Sequence, residues 1–480
     1  MLVREFRRLV LLILPLLLLL YTVVRYSRNW SPISYNVTDW IQRIPSVSHV
    51  FGTQHEQHVL DSHSDSRNNN TTSGNNGLSG VLLNNEIESS ESAHDSFGPD
   101  PKNTHIELFS TSTLDGRYFR VSFGDRLAIN PNIIPHPLLE DTWIIIANHY
   151  SLDNTIPTDF VELACDAVFN EDNTELNCLF PPIPLPIAAT GLGKCEGELQ
   201  YASLNVGPHD ARVFYGPRSP FIMYGSNSQE TCFGQWIQDF RVLVNWDSGD
   251  DLEAINANLE GQEQENFFQL GTELRRPPPY SPMEKNWFLF WDPDGQMYAH
   301  YDIAPKRVFA KLEVDGLAGL DLAPSAAIDD ERCMEMYMPK PGPVHESIHQ
   351  STNSLSITMC RRSDPSCSPS DANTFIFTIF QHKTFHDFHS VYEPYVMLFR
   401  RRTPFPVYGI SQKPLWIHGR DARNQMFYVT SMSWKARGQK YHGYLDDTLF
   451  LNFGIEDRET ASIDVLASDL LVGLGYCHET

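Results

Sequence analysis

The stretch NWFLFWDPDGQMYAHYDI, residues 286 to 303, consists of two short aromatic and apolar runs joined by Asp-Pro-Asp-Gly. Asp-Gly between such runs signals a β-hairpin, because the tight turn needs a left-handed backbone that these two residue types adopt at low cost. Runs of the same kind recur on both sides: TWIIIANHY (142–150), RVFYGPRSPFIMYGS (212–226), FIFTIFQH (375–382), YVMLFRRR (395–402), FYVTSMSW (427–434) and TLFLNFGIED (448–457). Helical periodicity is confined to a few places such as PTDFVELACDAVF (157–169) and the acidic DLEAINANLEGQEQENFFQL (251–270). The expected fold is all-β. One sandwich does not need so many strands, and radial repetition of four-stranded sheets uses them without long open edges, so a β-propeller is expected, although no repeat of fixed period marks its blades.

The chain begins MLVREFRRLVLLILPLLLLLYTVVRYSRNW, with Arg4, Arg7 and Arg8 ahead of an apolar run from Leu9 to Val24. That pattern predicts a short cytoplasmic tail (1–8) and a signal anchor (9–24), with the rest of the chain lumenal. A cleaved signal peptide is the alternative, but the flank YTVVRYSRNW has no small-residue cleavage site. Residues 25–104, rich in Ser, Asn, Asp and Gly, carry too few apolar residues to offset chain entropy and read as a disordered stem; 105–480 form the catalytic domain. Asn29, Asn36, Asn69 and Asn70 each open a glycosylation sequon in that stem. The 8 cysteines are spread singly with no C-x-x-C pair, which suits disulfides in an oxidising lumen, Cys360 with Cys367 among them. A net charge of -24 leaves no basic excess for a nucleic-acid backbone.

Several strings carry possible chemistry. His345, Glu346 and His349 form H-E-x-x-H, a zinc-protease pattern if helical, but the following QSTNSLSIT favours turns and strands. Asp292 and Asp294 form a D-x-D, as in metal-dependent nucleotide-sugar transferases, yet they lie in the hairpin turn just described. His382, His386 and His389 have loose ligand spacing without supporting carboxylates or thiolates and read as loop residues. In VGPHDARVFYGPRSPFIMYGS, Asp210 and Arg212 stand in a Gly-Pro turn before a strand, where a carboxylate could move a proton and a guanidinium could grip phosphate; a salt bridge closing the turn is equally open. Lys285, Asn286, His300 and Arg307 fall on adjoining strands and suggest an anion site or, alternatively, an exposed cationic face.

The order PLPIAAT (184–190), GPHDAR (207–212), EKNW (284–287) followed by H-x-Y and P-x-R, and GYLDDTLFLNFGIED (443–457) resembles the fungal β-mannosyltransferases that add β-1,2-linked mannose to cell-wall glycans. More distantly it is similar to the mannoside phosphorylases, which are five-bladed β-propellers. The resemblance implies a type II Golgi membrane enzyme transferring mannose in β-linkage from GDP-mannose to a glycan, without a metal cofactor. It implies Asp210 as catalytic carboxylate, and Arg212, Lys285, His300 and Arg307 as contacts to the donor phosphates. His209, Asn286, His349, Gln350, Asn353, Asp446 and Asp447 would face the sugars. Two positions depart from the family's G-x-E-D-P-R: its glutamate is His209 here and its proline Ala211, which bears on the sugar or acceptor contact rather than on proton transfer. A mannoside phosphorylase or hydrolase, or a glycan-binding propeller without activity, are the alternatives on the same scaffold.

Overall fold

The computed structural model describes residues 104–150, 160–191, 193–204, 206–244, 267–386 and 389–477. All of them belong to the second of the two compact units into which the chain divides, residues 60–480. The expected tail, anchor, stem and four sequons lie outside the described residues, as does most of the acidic segment expected to be helical. Among the described residues no helix is long and apolar enough to cross a membrane.

The described chain is all-β. Two short strands, β1 (Ile106–Leu108) and β2 (Phe119–Ser122), precede five consecutive antiparallel groups. The first is β3 (Ala128–Pro135), β4 (Trp143–His149), β5 (Glu162–Phe169) and β6 (Glu175–Cys178), with β7 (Ile183–Pro184) on β5. The second is β8 (His209–Tyr215), β9 (Pro220–Asn227), β10 (Phe233–Asp239) and β11 (Thr272–Glu273). The third is β12 (Phe288–Trp291), β13 (Met297–Asp302) and β14 (Val308–Lys311). The fourth holds β15 (Glu346–Gln350), β16 (Leu355–Thr358), β17 (Thr374–His386), β18 (His389–Arg400) and β19 (Val407–Ser411). After β20 (Leu415–Ile417), which pairs with β1, come β21 (Phe427–Trp434), β22 (His442–Tyr444), β23 (Thr448–Ile455), β24 (Glu459–Leu466) and β25 (Leu474–Tyr476). β21, β23 and β24 make the fifth group, whose outer edge is completed by β2 (Phe119 opposite Ser462), while β22 pairs with β16 and β25 with β19.

The leading strands of the five groups are stitched into a closed ring by side chains. Asn132 donates to the Ala211 carbonyl (2.8 Å) and accepts from the Val213 N–H (3.0 Å), joining β3 to β8. Arg212 donates to the Asn286 side chain just before β12 (2.7 Å), and Ser354 donates to the Leu289 carbonyl (2.6 Å). Asn353 repeats the Asn132 device on Met432 of β21 (3.0 and 2.9 Å), and Thr430 returns to the Pro131 carbonyl (2.9 Å). An amide side chain presents one donor and one acceptor, so it can continue a ladder where two sheets splay apart and direct pairing is impossible.

Three local expectations change. PTDFVELACDAVF is not helical: Glu162–Phe169 pairs with β4 and β6, because a buried place between two strands and the Cys165–Cys178 disulfide outweigh a weak helical pattern. A 15-residue helix, Ala323–Tyr337, occurs where the sequence offered no marked amphipathic stripe. His382, His386 and His389 lie on the β17–β18 hairpin rather than in a loop, and His382 and His389 pair with Glu346 and Glu456. All eight cysteines are paired: 165–178, 195–232, 333–477 and 360–367.

Candidate functional site

Around the start of the ring strands three non-glycine residues adopt a left-handed backbone: Asn130 (φ 56°), Asp210 (φ 48°) and Asn286 (φ 65°). Such conformations cost about 1 kcal/mol or more each and persist where surrounding bonds enforce them. At Asp210 the enforcing bonds are visible. The residue sits in a β-bulge between His209 and Arg212, and its carboxylate accepts from Asn130 Nδ2 at 2.7 Å. Beneath it Glu162 Oε1 accepts from the Ala211 N–H (3.3 Å) and from Asn148 Nδ2 (3.1 Å), and Asn148 also reaches the Pro208 carbonyl. Glu162 is fully buried; burial pushes its carboxyl up to about 8 against those two hydrogen bonds, and the Asp210 charge adds to the rise.

Next to Asp210 stand the cations. Arg212 is 3% exposed and donates to Asn286 Oδ1, while Asn286 Nδ2 lies 3.3 Å from His349 Nε2 and His349 3.2 Å from the Tyr428 hydroxyl. Burial pulls the Lys285 ammonium down to about 7, with Asp210 opposing and Lys383 and Arg212 reinforcing. Burial and the same three cations hold His349 well below the usual imidazole range, so it is neutral. Opposite lies Asp457, in the tight turn between β23 and β24 (φ 48°): burial, then Asp210 and Glu456, push it up to about 6, and Lys383 and His389 oppose. Tyr392 and Tyr428, rings 4.9 Å apart, close the wall between His349 and Lys383. Two carboxyls, several cations and aromatic faces in one partly dry site can hold an anion, stack a sugar and move a proton.

The structure therefore brings together Asp210, Arg212, Lys285, Asn286 and His349 of the residues expected from sequence. It separates others. His300, fully buried, stacks on Phe288 (4.7 Å); its Nε2 accepts from Arg307 Nε (3.2 Å) and its Nδ1 meets Gln350 Oε1 (2.9 Å). Arg307 is bound to Asp330 (2.8 Å) and the Phe405 carbonyl (2.9 Å). Both His300 nitrogens and two of the three Arg307 nitrogens are taken up in this buried network, and Gln350, donating to the Asn286 and His300 carbonyls (2.8 and 2.9 Å), braces the site from behind. Asn353 spends its amide on the ring closure above. Asp446 and Asp447 cap a surface turn, accepting from the Arg362 and Ser363 N–H groups and from the Arg362 guanidinium (2.9 and 2.6 Å), so none of these partners belongs to the cluster. His209 packs between Phe160 (3.7 Å) and Phe233 (5.4 Å), and burial lowers its imidazole to about 4.

The H-E-x-x-H string forms β15 from Glu346 onward, with His345 just outside it at φ 64°, so the string lacks the helical spacing that would set both imidazoles on one face. Glu346 pairs with His382 (2.9 Å) and only His349 enters the cluster. The D-x-D is a turn: Asp292 Oδ1 accepts from the Asp294 and Gln296 N–H groups, both at 2.9 Å. Reasoning from sequence missed Asn130, Glu162, Lys383, Tyr392, Tyr428 and Asp457. For Asp457 a signal was present: a second acidic pair ends GYLDDTLFLNFGIED, at the tip of the hairpin where LDD is only its approach.

The sequence matches no protein-family model and no curated protein. Among solved structures the chain is similar to a β-1,2-mannobiose phosphorylase from Listeria innocua (10% identity, TM-score 0.38, covering 76% of this chain and 96% of that one). It is also similar to a GDP-Man-dependent mannosyltransferase from Leishmania mexicana (9%, TM-score 0.36, covering 73% and 89%). A third similar structure is the arabinanase Arb43A from Bacillus subtilis (10%, TM-score 0.33, covering 71% and 96%).

Proposed function

We propose that the chain is a glycosyltransferase on a five-bladed β-propeller, transferring mannose in β-linkage from GDP-mannose to a glycan. The observation that carries this reading is the strained Asp210 carboxylate set beside Arg212 and Lys285 at the start of the ring strands. The two cations would stabilise the departing diphosphate, and Asp210 would take the proton of the acceptor hydroxyl, directly or through a sugar hydroxyl. Asn286, His349 and Asp457 would orient the mannose, and Tyr392 and Tyr428 offer ring faces to it. No metal takes part in this reading. The five sheet groups and their ring of side-chain bonds support the propeller, and four disulfides pairing all eight cysteines support an oxidising compartment; on this reading the apolar run Leu9–Val24 anchors the chain in the Golgi membrane.

A second reading is favoured by Asp457, a second carboxyl in the cluster that burial pushes up to about 6, toward the range of the proton donor in glycoside cleavage. On that reading the enzyme releases mannose or mannose 1-phosphate from a β-mannoside. The full chain, given radiolabelled GDP-mannose and mannan acceptors, separates the two. Transfer that survives EDTA and falls about 10²- to 10⁴-fold in Asp210→Asn is expected. No transfer, with mannose 1-phosphate formed from a β-mannoside in phosphate buffer, replaces the first reading by the second.

A further inference from the structure

Away from the site, the buried cations among the described residues are paired with acids. Arg276 meets Glu284 (3.1 Å) and Asp302 (2.5 Å), Arg307 meets Asp330 (2.8 Å) and Arg420 lies 3.6 Å from Glu393. The rule has a physical reason: an ion removed from water loses several kcal/mol of hydration that a counter-charge must offset. Lys383 breaks it. It is 6% exposed, yet among the described residues its ammonium makes no hydrogen bond and has no carboxylate within salt-bridge reach. The chain holds 60 acidic residues against 36 Lys and Arg, so acids to pair with it were not scarce.

Its position is equally specific. The strands β17 and β18 run 13 and 12 residues, where the other strands have at most 8, and Lys383 lies in their distal part. Opposite it in register is Tyr392, whose ring is 5.7 Å from Nζ and 4.9 Å from that of Tyr428. β15 pairs with this same distal part, Ser347 opposite Lys383, and carries His349 into the cluster. The long hairpin thus adds a cation to the site beside Tyr392 and Tyr428, apart from Arg212, which also lacks a carboxylate within salt-bridge reach among the described residues. Lys383 depresses both Lys285 and His349, so its charge is felt across the space between them.

We propose that Lys383 is an anion-binding residue of this site and takes the second phosphate of a diphosphate whose first phosphate lies on Arg212 and Lys285. The assignment rests on the transferase reading in that it makes the anion the diphosphate of a nucleotide sugar. Orthophosphate, the co-substrate of a phosphorylase, would leave Lys383 without a partner.

Calorimetric titration of the full chain and its Lys383→Met and Lys383→Arg variants with inorganic pyrophosphate, orthophosphate and GDP tests this. The wild-type protein is expected to bind pyrophosphate more tightly than orthophosphate. Lys383→Met should weaken pyrophosphate about 10- to 100-fold, the worth of one charge-assisted bond, and leave orthophosphate within about twofold. Lys383→Arg should keep most of the affinity, which a mere folding defect would not allow. Equal pyrophosphate binding by wild type and Lys383→Met overturns the proposal, as does an equal loss for both anions or no binding of either by the wild type. Lys383-dependent pyrophosphate binding without any GDP binding upholds Lys383 and removes the GDP-mannose reading instead.

Discussion

Glu162 shows how far a single side chain can depart from its sequence appearance. Nothing in VELACDAVF singles it out, yet it lies fully buried under the Asp210 bulge. Its folded pKa of about 8 stands above the ordinary 4.5, so the folded state keeps a proton that the unfolded state has released. The stabilisation this gives is complete below pH 4.5 and is lost as pH rises toward 8, with a slope of up to about 1.4 kcal/mol per pH unit. Glu162→Gln keeps an oxygen for the Ala211 N–H and cannot ionise. Its urea midpoint should therefore match the wild type near pH 4.5, exceed it increasingly up to pH 8, and flatten the pH profile. A wild-type midpoint that does not fall over that range would show the carboxyl to be ionised throughout. From their string alone Asp210 and Arg212 stood equally open to chemistry and to a turn-closing salt bridge; Glu162 gave no signal, because only a neighbouring strand supplies its environment.

Among the elements, β16 and its approach carry the sharpest contrast between expectation and structure. Asn353 was expected to reach toward sugar, but both halves of its amide are bonded to the backbone of Met432. Replacing it with alanine leaves two buried backbone groups unpaired, at about 1 to 3 kcal/mol each. Asn353→Ala should lose about 2 kcal/mol or more in denaturant unfolding, with the substrate KM unchanged in the molecules that remain folded. A raised KM at undiminished stability would return Asn353 to the sugar site. The β15 strand teaches the same lesson from the other side. Its H-E-x-x-H promises zinc only at helical spacing, and pairing with the β17 extension sends Glu346 and His349 to different neighbours. Strand identity was readable here from the Ser, Thr and Asn that follow; which side chains reach the cluster was not.

At the scale of the whole molecule, closure depends on the two ends of the described chain. β2 completes the fifth group beside β24, and Cys477 near the C-terminus is bonded to Cys333 in the helix Ala323–Tyr337. The 144-residue separation makes Cys333–Cys477 the bridge that restricts the unfolded chain most. Replacing both cysteines with alanine should cost about 4 kcal/mol in a reversible denaturant transition, whereas removing Cys360–Cys367, separated by 7 residues, should cost clearly less. Equal losses for the two would mean that native-state strain, not loop length, governs them.

Hairpins, the all-β class and the Cys360–Cys367 pair follow from chemistry within a few residues, where turn preference and alternation act alone, whereas Asp210 and Arg212, expected in a turn, lie in a bulge of β8. The pairing of β5, the burial of Glu162, the withdrawal of His300 and Arg307 into their own network, and the meeting of Lys383, Tyr392, Tyr428 and Asp457 were decided only by tertiary packing. Those residues come from different sheet groups, and nothing local encodes how a closed ring brings the groups round to face one another. A side chain's charge state and partners depend on what that closure removes from water.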